Sequence, residues 1–250
     1  MQSDLPLLIL ADIPQPFSLT DLALSDLASD IIDLTPSQYQ NLDRLRAMIG
    51  GMTFDLVRHS VQETEQSLAA NGLEHIFCER PVKQLSGISI AISENIAVGK
   101  GNETINRTLL QLARHIGQSI KADSIIWQPA QLHIGFDYFV GAIEHYIAGG
   151  PFPVLVQIAI SATPEGEMQT RGLSYFAGQE IRMSAPTNYA ANEVVKRLVR
   201  IAHDIATNGR IEEESEQDGF IPGETLTIIP DEDGQSVEIA ITASKLHDLY

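Results

Sequence analysis

The chain has 250 residues, 44% of them hydrophobic, with a mean hydropathy of -0.01, enough for one large domain or two smaller ones with a true core. Its formal net charge of -17 repels phosphate backbones and anionic bilayers, which argues against nucleic acid and membrane as partners. The single cysteine, Cys78, excludes an intrachain disulfide, and no apolar run approaches the ~20 residues that span a bilayer, so a cytoplasmic protein is expected.

Leu5–Leu10 is an apolar run closed by Asp12 and Pro14 and reads as a buried strand. Ser18 then caps an expected helix with Leu19, Leu22, Ala23 and Leu27 on one side. A second short helix is expected within 36–49, opened by Pro36 and closed by Gly50-Gly51. Met52–Arg58 alternates as a half-buried strand, and 61–85 reads as a long connection with a helical piece. Ile88, Ile90 and Ile92 mark a strand, and the stripe Ile105, Leu109, Leu112, Ala113, Ile116 and Ile120 marks a helix over 103–121. Ser124–Gln128 is a short strand ending in Trp127, followed by a helix at 136–148 with Phe136, Val140, Ile143 and Ile147 inward.

Val154–Ser161 is the longest β-like run, and Glu180–Ser184 is another strand. A helix follows at 188–207, and Thr225–Ile229 with Val237–Thr242 form a closing hairpin. Acidity is uneven. Residues 1–43 hold seven Asp and no Lys or Arg, and 211–244 hold ten acids and no base. Both stretches read as solvated faces, with a docking site for a basic partner as the alternative. Glu212–Asp218 is expected to be a mobile surface loop.

The element order is β-α-β-β-α-β to Trp127, and again from Trp127 to Ile229. It predicts an α+β fold with mixed or antiparallel sheets and helices on one face. Two ferredoxin-like (βαββαβ) halves, 1–128 and 129–250, would be packed as one unit. Between two apolar strands stands Thr170-Arg171-Gly172-Leu173, with Phe176 and Glu180 beyond it. With Trp127 and the elements from Ile88 to Ser161, this segment resembles the bacterial family of domain of unknown function 4261. The resemblance implies a soluble bacterial protein and brings no substrate, cofactor or catalytic residue.

Arg171 offers five donors in a fixed fork that suits a carboxylate or small anion. The competing reading is internal: a pair with Glu180, or ties to backbone carbonyls that lock the corner. Trp127 ends a strand, where ligand sites often lie, yet a lone Trp there also suits a core. His133, Asp137 and His145 could share a face and ligate zinc, though their spacing matches no strong motif and solvated helix flanks explain them as well. His75 and Cys78 are three apart, with His59 upstream. A Cys–His nucleophile needs spatial proximity that spacing does not show, so Cys78 reads as an unremarkable thiol. Gly99-Lys100-Gly101 lacks the Ser or Thr that a phosphate loop places after its lysine. Glu193–Arg197 and Arg200–Asp204 fit a solvated helix face.

Three functions compete. The favoured one is a non-catalytic binding module with no cofactor, its site the corner of Trp127, His133, Arg171 and Glu180. Its partner would be another protein or a small anionic ligand, and a homodimer fits as well. The second is an acidic, immunity-type decoy for a basic partner. The third is a metal-dependent hydrolase near His133, Asp137 and His145.

Overall fold

The computed structural model describes residues 6–35, 43–68, 72–78 and 84–243. The chain divides into two compact units, Met1–Pro151 and Phe152–Tyr250. The division falls after Pro151 rather than after residue 128. The strand that follows residue 128 hydrogen-bonds to the one carrying Trp127, so it belongs with what precedes it.

The first unit contains β1 (Leu7–Ala11), β2 (Asp30–Asp33), β3 (Arg44–Ile49), β4 (Met52–His59), α1 (Val61–Leu68) and β5 (Glu74–Ile76). It continues with β6 (Ser86–Ile92), α2 (Glu103–Ile120), β7 (Ser124–Trp127), β8 (Leu132–Gly135) and α3 (Phe136–Ile147). Its eight strands form one sheet in the order β2-β3-β4-β6-β1-β7-β8-β5. Every pair is antiparallel except β5 with β8, which is parallel. All five residues of β1 are buried, as expected of a central strand with no polar side chain. Asn102 caps α2 by accepting from the Thr104 and Ile105 amides.

The second unit contains α4 (Val154–Gln157), β9 (Ala159–Ala162), β10 (Met168–Arg171), α5 (Ser174–Ala177), β11 (Glu180–Ser184), α6 (Ala191–Asn208), β12 (Ser215–Asp218), β13 (Glu224–Pro230) and β14 (Ser236–Ala243). Its six-stranded sheet runs β12-β13-β14-β11-β10-β9, with β11 and β14 parallel. The fold is therefore α+β with two mixed sheets. Among the described residues no helix is long and apolar enough to cross a membrane.

The ferredoxin-like order is not found in the first sheet. A split βαβ needs a central strand parallel to its neighbour, and both neighbours of β1 are antiparallel. The helix expected after Ser18 is only a 3-10 turn, Leu19–Asp21. Asp43 accepts from the Leu19 amide at 2.7 Å and holds the turn down. Of the helix expected in 36–49, residues 36–42 lie outside the described part and 44–49 are β3. Leu45, Ala47 and Ile49 are buried there at strand period, while Arg46 faces Asp55 at 2.6 Å. Val154–Ser161 is not one strand but the helical turn α4 followed by β9. The expected acidic loop contains β12, which pairs with β13 from Ser215 to Asp218.

Candidate functional site

Strand alternation sorts the side chains around β8. Trp127 stands opposite Leu132 and Ile126 opposite His133, so Trp127 and His133 point to opposite faces of the sheet. Ser124 stands opposite Gly135, two residues from His133, and shares its face. On the other side of β8, the parallel register sets His75 beside His133. Three elements thus converge on one buried imidazole. His133 Nδ1 lies 3.0 Å from His75 Nδ1, and His133 Nε2 lies 2.8 Å from Ser124 Oγ and 3.1 Å from Cys78 Sγ.

Cys78 arrives from the turn after β5. Phe77 adopts a left-handed conformation with φ 47, which bends the chain back over β8. The approach needs a glycine below it: a Cβ on Gly135 would stand 1.9 Å from the Phe77 carbonyl oxygen. Phe77 is 76% exposed, and its ring lies against that of Tyr138 with centroids 4.7 Å apart. His133 is fully buried, Cys78 is half-buried and His75 is exposed.

Burial, with the neighbouring His75 second, pushes His133 down from 6.5 to about 4. The imidazole is therefore uncharged at neutral pH. A neutral imidazole whose Nε2 lies 3.1 Å from the sulfur is placed to accept the thiol proton.

The other expected residues fall elsewhere. Trp127 is 1% exposed and belongs to the core. Asp137 lies in the first turn of α3 and His145 in its last, both exposed, and among the described residues no three His, Cys, Asp or Glu side chains gather to hold a metal. His59 bonds Ser89 at 2.8 Å. Arg171 and Glu180 lie in the second unit. There the Glu180 carboxylate accepts from the Thr170 hydroxyl at 2.8 Å and from the amides of Gly172, Leu173 and Ser174 at 2.8, 3.2 and 3.0 Å. The Thr-Arg-Gly-Leu corner is thus closed onto a carboxylate by its own backbone.

Arg197 does not belong to a solvated helix face. It is 2% exposed and grips Glu224 in a bidentate pair at 2.8 and 2.6 Å, with Tyr189 and Phe220 against it. Glu224 takes the inward position in the alternation Glu224, Leu226, Ile228, which forces its carboxylate toward α6.

No family model, curated protein or solved structure matches the chain.

Proposed function

We propose that the first unit carries a nucleophilic thiol site, with Cys78 as nucleophile and His133 as its general base. The observation that carries it is the 3.1 Å approach of Cys78 Sγ to a buried, neutral imidazole nitrogen. The thiol lies at a half-buried position beside the Phe77–Tyr138 rings, where an electrophilic acyl or alkyl carbon can reach it. Attack forms a bond from sulfur to that carbon while the thiol proton moves to Nε2. At an alkyl carbon the bond to the leaving group breaks and that group departs with its electron pair; at an acyl carbon the C=O π pair moves onto oxygen before the leaving group is expelled. The Phe77–Tyr138 ring pair favours a substrate with a flat apolar group, and the chain's negative charge favours one that is not itself anionic.

The test is the second-order rate of Cys78 alkylation by iodoacetamide at pH 7, set against that of glutathione. The reading expects the protein thiol to react at least about tenfold faster, and His133→Gln to remove that advantage. A rate equal to the free thiol would leave a non-catalytic binding module as the better description of the unit. Because His133 is buried, Gly135→Ala serves as a second variant that displaces the thiol without touching the base.

A further inference from the structure

The contact between His75 and His133 solves a problem that the buried base creates. Two ring nitrogens 3.0 Å apart share one proton, since two lone pairs or two N–H groups would repel. When His133 Nδ1 holds that proton, its Nε2 lone pair faces Cys78 and Ser124, and His75 Nδ1 accepts. When His75 Nδ1 holds it, His133 Nδ1 accepts and Nε2 carries a hydrogen toward the sulfur and the hydroxyl. The two rings cross at 71° with centroids 5.1 Å apart, an edge-on meeting that suits an N–H···N bond.

We infer that Cys78 loses its proton through a two-histidine relay that ends on exposed His75; this rests on the nucleophilic-thiol reading above. The S–H bond breaks as Nε2–H forms on His133, and the Nδ1–H bond of His133 breaks as Nδ1–H forms on His75. No electrons are transferred. The products are a Cys78 thiolate, a neutral His133 in its other tautomer, and an imidazolium on His75. The buried ring never keeps the charge. His75 is solvated, so water stabilises the cation that burial disfavours on His133. Burial pushes His133 well below the ordinary imidazole range, so the buried ring is the poorer place for the charge. Ser124, fixed on β7, holds the Nε2 end of the ring in place from below.

The experiment compares iodoacetamide alkylation of Cys78 at pH 7 in the full chain and in His75→Gln and His75→Ala. Glutamine at 75 still accepts a hydrogen bond from His133 through its carbonyl oxygen but cannot take the proton. The relay therefore expects His75→Gln to slow alkylation by at least about tenfold. It also expects free imidazole, added to His75→Ala, to restore the rate in a saturable way, because position 75 is open to solvent. A rate in His75→Gln within twofold of the parent, with the parent thiol fast and dependent on His133, would overturn the relay and leave the thiol site standing. A parent thiol no faster than glutathione would instead remove the thiol site.

Discussion

Replacing Arg197 by Met tests the second unit's energetics most directly. The guanidinium and Glu224 are both buried, 2% and 0% exposed at their side chains, and meet through two hydrogen bonds. With Arg197 gone, Glu224 keeps only the Phe220 amide and the Tyr189 hydroxyl, each at 2.9 Å. Removing one member of such a pair costs about 3–5 kcal/mol. The titration of Glu224 points the same way. The Arg197 hydrogen bonds, ahead of the Phe220 and Tyr189 bonds, lower it from 4.5 to about 2, and 2.5 units correspond to about 3 kcal/mol. The sign follows from the depressed value. The contribution is complete above about pH 4.5 and is lost as pH falls toward about 2, and R197M flattens that acid arm. Urea denaturation followed by circular dichroism, with amide exchange of β13 and β14, measures the loss. The double variant R197M/E224L should recover most of it, since an apolar pair of similar volume replaces the ions. A loss below about 1 kcal/mol, or a double variant no more stable than R197M, would refute the reasoning.

Gly135→Ala should displace the Phe77–Cys78 backbone, slow Cys78 alkylation to the rate of a free thiol, and destabilise the unit by about 1–3 kcal/mol, read by denaturation and by mass spectrometry of the labelled peptide. Glu180→Ala leaves the amides of Gly172, Leu173 and Ser174 without their shared acceptor. It should cost about 1–3 kcal/mol and speed amide exchange at those positions before elsewhere. Gln179→Leu removes the acceptor of the Ile211 amide (2.6 Å) and the donor to the Ile211 and Gly234 carbonyls. A similar loss is expected in a thermal melt, and no change in melting temperature would show those bonds to be inert.

Long amphipathic helices were legible because their stripes repeat over many turns. The helices at 103–120, 136–147 and 191–208 and the closing hairpin stand where the pattern puts them. Short apolar segments were not. Val154–Ile158 is apolar apart from Gln157, too short and uniform to carry a period, and the choice between helix and strand fell to tertiary context. Arg44–Ile49 did alternate, but Pro36 and Gly50-Gly51 outweighed that signal as helix punctuation. Arg197 lay at i+4 from Glu193, a surface pattern, while its stronger partner was 27 residues ahead on β13.

The site was hidden for the same reason. Cys78 and His133 are 55 residues apart, and what joins them is a parallel pairing only three residues long, Glu74–Ile76 with Leu132–Ile134. The usable signal was weak: a His three residues before the lone Cys, and a second His in the apolar run Leu132–Gly135.

The place of β1 in the first sheet also sets a timetable for synthesis. Its two neighbours, β6 and β7, begin at Ser86 and Ser124, so the Leu-Leu-Ile-Leu-Ala segment has no strand to pair with when it leaves the ribosome. At about 5–20 residues per second, roughly 6–24 s pass between translation of Leu7 and of Trp127. For that interval the most apolar strand of the unit is an unpaired edge on a nascent chain, the stage at which a holding chaperone would matter most and at which a slowed ribosome would do most harm.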